Sequence, residues 1–200
     1  FFNSLEDIAR AKGAIFSCIE DGIAVINRDT EYFALLSGMA QDAGATRIIS
    51  FGRHTDADMR LVECLSDETG NSIEARWHNE PVSYRVEQPG VHWASNSLAV
   101  LAAADALGAD MRRAAKDLAF LPALPGRGAV HVIPWGNGTI RLIDDSYNAS
   151  PDSMRAALET LGHMQPDGGR RIAIIGDMLE LGDTSLSAHS ELKDHIEEHC

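Results

Sequence analysis

Basic residues, cysteines and long hydrophobic runs are all scarce in this sequence. Its 200 residues include 17 lysines and arginines against 30 aspartates and glutamates, which gives a formal net charge of −13. Proteins that hold nucleic acid or an anionic membrane surface need a basic face, so this charge argues against both kinds of partner. No stretch approaches the roughly 20 apolar residues that a transmembrane helix requires, and we expect no membrane insertion.

The few cysteines point in the same direction. Cys18, Cys64 and Cys200 show no CxxC or other paired spacing, so the sequence indicates neither a zinc site nor a disulfide framework. A reducing, cytoplasmic setting is the simplest interpretation. The chain has no initiator methionine, enters a helix signal at once and stops within the amphipathic run 187–199. We therefore expect a piece of a longer protein.

Hydrophobic periodicity predicts an α/β fold in the first part of the chain. Residues 23–26 and 47–51 are short apolar runs typical of buried strands, and a helical segment at 32–43 separates them. This order predicts a parallel strand–helix–strand unit. From residue 59 to residue 86 apolar and polar side chains alternate between turn signals, which predicts an antiparallel hairpin or meander. Two helices are predicted to follow, at 96–107 and 111–120.

Prolines and a glycine at 122–126 break this pattern, and we place a domain boundary there, between domains at 1–122 and 126–200. Beyond a hairpin signal at Asn137-Gly138, two strands are predicted to end at residues 143 and 175. Each runs into a polar loop and then a helix, and we expect Ser185 to cap the second helix. Open α/β sheets bind ligands at such loops, so 144–150 and 176–183 are the candidate binding segments.

Lysine occurs only at Lys12, Lys116 and Lys193. Lys12 follows Leu5 by seven residues and Ile8 by four, so the spacing predicts that it lies on the apolar stripe of the first helix. Either its side chain snorkels past the edge of the stripe, or it is held in a desolvated site. Desolvation makes the neutral amine common. A neutral amine can combine with CO2 to form a carbamate, an anionic oxygen ligand suited to Mg²⁺.

Three segments resemble the Mur ligases of peptidoglycan synthesis. Residues 9–16, ARAKGAIF, are similar to the A-x-A-K-x-x-I/L helix in which that family carries a carbamylated lysine beside Mg²⁺. Residues 90–99, GVHWASNSLA, resemble the family's G-x-H-x-x-x-N-x-L-A segment. Residues 125–127, PGR, resemble the glycine-arginine at the junction of two domains.

Two further segments resemble one branch of the family, which joins D-alanyl-D-alanine to UDP-N-acetylmuramoyl-tripeptide. Residues 144–151, DDSYNASP, differ from the branch signature DDSYNANP only at Ser150. Residues 176–182, GDMLELG, are similar to its G-D-M-x-E-L-G loop. Five motifs in the family's order make the resemblance specific.

The resemblance implies a partial mixed-sheet ATPase domain followed by a partial Rossmann-like domain, in a cytoplasmic, monomeric ATP-dependent amide ligase with an acyl-phosphate intermediate. It implies that Lys12, carbamylated by CO2, is catalytic and helps to hold Mg²⁺. The residues that it places at ATP are His92, Asn96, Arg127, Asp145, Tyr147 and Asn148. A second set is the candidate site for the incoming dipeptide: Asp177, Glu180, Ser185 and His189.

Several of these residues have ordinary structural interpretations as well. Asn96 would cap a helix that begins near it. The paired acids 144–145 could bind metal, act as acid and base, or open a turn. Ser185 and His189 lie four residues apart on one helical face, but no third residue orients the histidine, which argues against a catalytic pair.

The sequence contains no G-x-x-x-x-G-K-[ST] loop to hold ATP phosphates. Two alternative functions follow. One is another amino-acid ligase of the same superfamily, such as a diaminopimelate- or lysine-adding enzyme or a folylpolyglutamate synthase. The other is a nucleotide-binding module without catalysis.

Overall fold

A computed structural model describes residue 2, residues 4–166 and residues 168–200. The chain divides into two compact units. The first comprises the residues up to Leu65 together with Ser72–Arg85 and Ala94–Ala119. The second comprises Ser66–Asn71, Val86–Trp93 and Phe120–Cys200.

The predicted strand–helix–strand unit is confirmed at the start of the chain. Its elements, after the helix α1 (Leu5–Gly13), are β1 (Ile23–Asn27), α2 (Phe33–Asp42) and β2 (Arg47–Gly52). The Ser4 hydroxyl caps α1 by accepting a hydrogen bond from the Asp7 N–H at 3.1 Å. β1 and β2 pair in parallel, with Val25 opposite Ile49.

Three further strands complete a five-stranded sheet in the order β1-β2-β3-β4-β5. They are β3 (Met59–Asp67), β4 (Gly70–Trp77) and β5 (Glu80–Val86), joined by two-residue turns. β3 pairs in parallel with β2, where Phe51 lies opposite Met59. Turns of two residues join only antiparallel strands, so the meander makes the sheet mixed, as the sequence predicted. Its core is apolar, and the largest fully buried side chains include Ile49, Met59, Ile73, Leu98 and Leu101.

Two helices follow the sheet, α3 (Val91–Ala106) and α4 (Met111–Asp117). α3 begins five residues earlier than the sequence predicted. Asn96 therefore lies in the second turn of the helix, where it caps nothing, and its side chain is exposed.

The second unit contains a hairpin and two helices. β6 (Ala129–Trp135) and β7 (Gly138–Asp144) pair in antiparallel register around the turn at 136–137. The helices are α5 (Pro151–His163), whose first turn is capped by Ser150, and α6 (Ser185–His199). Leu158, Met178 and Leu192 form the buried cluster between them.

The predicted strand at 171–175 is not formed. These residues have no regular secondary structure, and the Ile174 side chain is 94% exposed. β7 is also open to solvent, since its Leu142 is 44% exposed. A parallel strand needs hydrogen-bonding neighbours on its edges and cover on its faces. Among the described residues from 120 onward, only β6 and β7 form a sheet, with each other.

Candidate nucleotide-binding site

The segment before β6 is fastened to the turn after β7 by three backbone groups. The Gly126 N–H donates to the Asp144 carboxylate at 3.1 Å, and the Gly128 N–H donates to the Asp144 carbonyl at 2.9 Å. In return the Tyr147 N–H donates to the Gly126 carbonyl at 3.0 Å. Gly126 has φ +70, and a Cβ there would lie 3.0 Å from the Tyr147 nitrogen. The Pro-Gly-Arg and Asp-Asp-Ser-Tyr motifs therefore form one local structure.

Asp144 opens this turn, which decides among the interpretations that the sequence left open for it. Its carboxylate accepts hydrogen bonds from the Ser146 hydroxyl at 2.6 Å and the Ser146 N–H at 3.2 Å. These bonds, and the one from Gly126, hold the pKa of the Asp144 carboxyl below its ordinary value. A carboxylate occupied in this way anchors a loop and is a poor proton donor.

Arg127 and Tyr147 lie together at the surface. The Arg127 guanidinium carbon lies 4.1 Å from the centroid of the Tyr147 ring, a cation–π contact. Both side chains are exposed. Asn148, the next residue of the turn, is exposed as well. The arrangement presents a planar cation and an aromatic ring to solvent, next to the Asp145 carboxylate.

Asp145 and His92 line the same small cleft in the second unit. Trp93 and Thr160 also contribute to its walls. The cleft has a volume of about 20 Å³, room for about one water molecule, so in this conformation it cannot enclose a nucleotide. The structure thus brings together two of the predicted nucleotide-binding residues, His92 and Asp145. Two others, Arg127 and Tyr147, lie on the connected Pro-Gly-Arg segment and turn.

His92 is the cleft residue with a shifted pKa. Desolvation lowers the pKa of its imidazole below 6.5, and the Asp145 carboxylate opposes this with a smaller upward effect. The ring is therefore neutral at pH 7, and one of its nitrogens can accept a hydrogen bond.

The lowered pKa predicts a pH dependence of folding. As the pH falls through about 6.5, the unfolded chain binds a proton at His92 before the folded chain does, so the free energy of unfolding falls. Urea unfolding at about pH 7.5 and about pH 5.5 measures this loss, and we expect it to be smaller in His92→Asn. Equal losses in the two proteins would show that the cleft does not desolvate His92.

Trp93 is a cleft residue that the sequence analysis missed. Its indole Nε1 is buried and has no hydrogen-bond partner among the described residues. A buried N–H of this kind costs free energy until it finds an acceptor. The only sequence signal was its place inside the His92–Asn96 motif, where an aromatic residue looks like ordinary core.

A buried amide supports the segment that carries His92. The Asn71 side chain is fully buried, and its Nδ2 donates to the Gln88 carbonyl at 2.6 Å and to the Gly90 carbonyl at 3.0 Å. The Gln88 side chain in turn donates to the Leu121 carbonyl at 2.6 Å. The turn between β3 and β4 therefore fixes the backbone from which His92 and Trp93 project.

The second candidate loop is held by His189. The Met178 N–H donates to its Nε2 at 3.0 Å, so Nδ1 carries the proton and donates to the Ser185 carbonyl at 2.7 Å. The Ser185 hydroxyl lies 3.5 Å from Nδ1, but a protonated Nδ1 cannot accept the hydroxyl proton, which argues against a Ser185–His189 catalytic pair in this conformation. Thr184 precedes α6 as its N-cap, so the prediction that Ser185 caps the helix is wrong.

Asp177 and Glu180 lie exposed on the same loop, and Glu180 has φ +64, a backbone conformation that is uncommon for a side chain of this kind. Their binding of the dipeptide, with that of Ser185 and His189, stays a prediction. For His189 the structure adds a supporting role.

Lys12 is exposed to solvent, so of the two surroundings that the sequence left open for it the desolvated one is not found. Ala9 and Gly13 are the buried residues of α1, and Gly13 lies so close to α2 that a Cβ there would meet the Met39 side chain at 2.6 Å. The residues of the supposed apolar stripe are exposed, Leu5 by 64%, and so is Lys12. Small residues let α1 and α2 approach closely. Lys12 does not lie on the face of α1 that packs against α2.

This environment does not make a magnesium site. A bound Mg²⁺ needs several oxygen ligands around it, and an exposed amine offers none. Among the described residues, the only cluster of His, Cys, Asp or Glu that could hold a metal is His195, Glu198 and His199 of α6. Within the same residues, no helix has the length and apolar character to cross a membrane.

Comparison with known proteins relates both parts of the chain to one family. Residues 1–104 match the model of the Mur ligase middle domain, and residues 126–200 match that of the Mur ligase glutamate ligase domain. The UDP-N-acetylmuramoyl-tripeptide–D-alanyl-D-alanine ligase of Rickettsia prowazekii is 36% identical over 98% of this chain and 42% of its own length. The ligase of the same name from Escherichia coli is 32% identical over 96% of this chain and 41% of its own length.

Solved structures agree. The crystal structure of MurF from Acinetobacter baumannii has a TM-score of 0.83 and 28% identity, over 98% of this chain and 41% of that one. MurF from Thermotoga maritima in complex with ADP has a TM-score of 0.77 and 26% identity, over 98% and 43%. The chain therefore spans about 40% of the length of these relatives and belongs to the Mur ligase family.

Proposed function

We propose that this chain is part of a ligase that uses ATP to add D-alanyl-D-alanine to UDP-N-acetylmuramoyl-tripeptide. The observation that carries the proposal is the fastening of the Pro-Gly-Arg segment to the Asp-Asp-Ser-Tyr-Asn turn through Gly126, Asp144 and Tyr147. The Asp-Asp-Ser-Tyr-Asn turn belongs to one of the two motifs that resemble this branch specifically, and the other motif forms the loop before α6. The substrates are those named for the ligases that this chain resembles.

The reaction has two steps. A carboxylate oxygen of the tripeptide attacks the γ-phosphorus of ATP, which forms an acyl phosphate and releases ADP. The amine of D-alanyl-D-alanine then attacks the acyl carbon, loses a proton and displaces phosphate, leaving an amide. Both steps are favoured chiefly by positioning the reactants and stabilising negative charge.

The described residues fit the nucleotide in these steps. The Asp145 carboxylate suits the ribose hydroxyls as an acceptor, and Arg127 suits the phosphates as a permanent cation. In the proposal Tyr147 and Asn148 shape the nucleotide pocket, and His92 and Trp93 line the small cleft beside the turn. Asn96 lies on the α3 surface and completes the proposed set.

The remaining expectations belong to the same proposal. A domain boundary between residues 122 and 126, a cytoplasmic location and a monomeric state are parts of it. Since the sequence has no G-x-x-x-x-G-K-[ST] loop, we expect the isolated 200-residue chain to show no ATP-dependent ligation. Carbamylation of Lys12 and its hold on Mg²⁺ also remain proposals, because its exposed side chain does not by itself form the site.

Asp145→Asn tests the nucleotide surface in a full-length ligase that contains this sequence. We expect the Kd for ADP to rise about tenfold, because a charged acceptor is replaced by a neutral one. The KM for ATP should rise more than the KM for D-alanyl-D-alanine. Asp152→Asn is the matched control, since Asp152 is an exposed carboxylate whose partner is Arg155 on the same helix.

The outcomes separate the candidate functions. A larger effect on the dipeptide KM than on the ATP KM would reassign the turn to the dipeptide. Ligation of diaminopimelate, lysine or glutamate in place of the dipeptide would favour the other ligases of the superfamily. Binding of ADP without any ligation would favour the nucleotide-binding module.

A further inference from the structure

A polar cavity lies in the first unit, between the segment before β3 and the turn that joins β4 to β5. Its volume is about 250 Å³, and its walls are almost wholly polar. Its charged and polar lining includes Asp56, Asp58, Arg60, Arg76, His78 and Asn79. No motif of the sequence analysis falls on it.

Two arginines on neighbouring strands face this cavity. The His78 N–H donates to the Asp58 carbonyl at 3.1 Å, which sets these residues side by side at the ends of β3 and β4. Arg60 and Arg76 each lie two residues away from this bond along their own strands, and both line the cavity. Two cations that line one small cavity repel each other unless an opposite charge lies nearby.

One N–H of the Arg60 guanidinium lacks an acceptor. Its Nε is buried and has no hydrogen-bond partner among the described residues. A guanidinium can only donate, so a buried N–H of Arg60 carries a desolvation cost until an acceptor reaches it. An anion in the cavity would supply that acceptor.

Neither aspartate of the cavity forms an ion pair with its arginines. The Asp58 carboxylate is turned toward β2, where it accepts from the Ser50 N–H at 2.8 Å and the Ser50 hydroxyl at 2.6 Å. The Asp56 side chain is 74% exposed and lies 3.8 Å from the His54 ring. Neither carboxylate has a recorded ion pair with Arg60 or Arg76.

His78 adds a donor on the same side. One Arg47 nitrogen lies 3.3 Å from its Nε2, and since arginine can only donate, Nε2 accepts and the ring proton is on Nδ1. The Nδ1–H and the Asn79 side-chain amide are thus further donors at the cavity wall.

We propose that this cavity binds the phosphate group of a small phosphorylated molecule. Two guanidinium groups from separate strands, with an imidazole and an amide donor, offer more hydrogen bonds than the two oxygens of a carboxylate can accept, whereas a phosphate can take them. The volume exceeds that of a bare phosphate and leaves space for an organic part, for which the exposed Asp56 carboxylate is an acceptor. This site does not depend on the proposed ligase activity.

Titrations of the 200-residue chain, followed by ¹H–¹⁵N NMR at constant ionic strength, test the proposal. The probes are inorganic phosphate, glycerol 3-phosphate and succinate, with chloride as the balancing anion, because screening alone also shifts signals of charged groups. We expect saturable shifts at the Arg60 Nε–H and at the backbone amides of Asp56 and His78. Glycerol 3-phosphate should bind most tightly and succinate least.

Variants separate the site from general electrostatics. Arg60→Gln and Arg76→Gln should each raise the Kd for glycerol 3-phosphate at least about tenfold. Arg60→Lys keeps the charge but removes Nε, and should also weaken binding. Arg113→Gln is the control, because Arg113 is an exposed arginine of the same unit whose partner is Asp117; its Kd should be unchanged.

Three results would overturn the proposal: no saturable shift with either phosphate, the same Kd in the Arg60 and Arg76 variants as in the unaltered chain, or equal binding of succinate. If inorganic phosphate binds as tightly as the ester, the space for an organic part is not used and the proposal of a phosphorylated molecule is wrong. If Arg60→Gln does not fold, as its NMR dispersion would show, Arg76→Gln and Arg60→Lys give the same test. Asp145→Asn should leave the shifts intact, which distinguishes this cavity from the nucleotide surface.

Discussion

Gly70→Ala is expected to destabilise the second unit by at least about 3 kcal/mol, because the new methyl group would overlap backbone atoms. Gly70 has φ +145, and a Cβ there would lie 2.1 Å from the Val86 carbonyl oxygen and 2.8 Å from the Glu87 Cα. Neither atom can rotate away as the end of a side chain would. The strand and the segment 86–93 would have to separate, and the Asn71 bonds to Gln88 and Gly90 would be lost with them.

Two other glycines separate the cost of steric overlap from the cost of backbone strain. Gly108 has φ +75 but nothing within 4 Å of its Cβ position, so Gly108→Ala should cost about 1 kcal/mol from backbone strain alone. Gly38 lies inside α2 with open space around it and no positive φ, so Gly38→Ala should stabilise the chain by about 0.5–1 kcal/mol.

Urea unfolding of the three variants gives the ranking directly. If Gly70→Ala costs no more than Gly108→Ala, the close approach of the β3–β4 turn to Val86 is not present in solution. In Gly70→Ala the loss of unfolding free energy at low pH that depends on His92 should also disappear. The reason is that His92 lies on the segment 86–93, which packs against Gly70. Retention of that effect in a folded Gly70→Ala protein would contradict the supporting role of the turn.

Local turn chemistry made much of the fold predictable from the sequence. The turn signals within 59–86 lie at the two-residue turns 68–69 and 78–79 of the structure, and the Asn137-Gly138 signal overlaps the two-residue turn 136–137. At His78 and Asn79 the φ values are +46 and +71, which matches the primed turns of tight hairpins. Short-range signals of this kind are set by residues within the turn, so no distant partner is needed to read them.

Features that depend on distant partners were not predictable in this way. Residues 171–175 have the composition of a buried strand, but no described strand pairs with them. The unpartnered Trp93 N–H and the facing Arg60 and Arg76 arise only when separate segments meet. A periodic pattern predicts which side chains share an apolar face, but it does not predict which other segments pack against that face.

Lys12 shows the same limit within one helix. The spacing from Leu5 and Ile8 gave it a place on an apolar stripe, but the face that packs against α2 is that of Ala9 and Gly13. Two small residues outweigh larger apolar ones because they allow two helices to approach closely. The family motif singles out the residue, whereas its burial could not be predicted from periodicity.

Lys12→Ala is expected to abolish ligation in a full-length ligase containing this sequence, with at least about a hundredfold loss of kcat, as for the loss of a group that stabilises transition-state charge. The stability of the 200-residue chain should change by less than about 0.5 kcal/mol, because the Lys12 side chain is exposed. Because Lys12 is exposed, its side chain can be removed without damage to packing, so a loss of ligation can be told apart from a loss of stability. Ligation is measured as phosphate release that depends on the dipeptide, and stability as urea unfolding.

Two further variants identify the chemistry of the amine. Lys116→Ala removes another exposed lysine, on α4, and should leave both measurements unchanged. Lys12→Arg keeps a positive charge but cannot form the lysine carbamate, so it should lose ligation as Lys12→Ala does. Normal turnover by Lys12→Ala would remove Lys12 from the mechanism altogether. Activity retained by Lys12→Arg alone would show that the residue acts through its positive charge, since a carbamate supplies a negative one and the two functions have opposite effects on a bound phosphate.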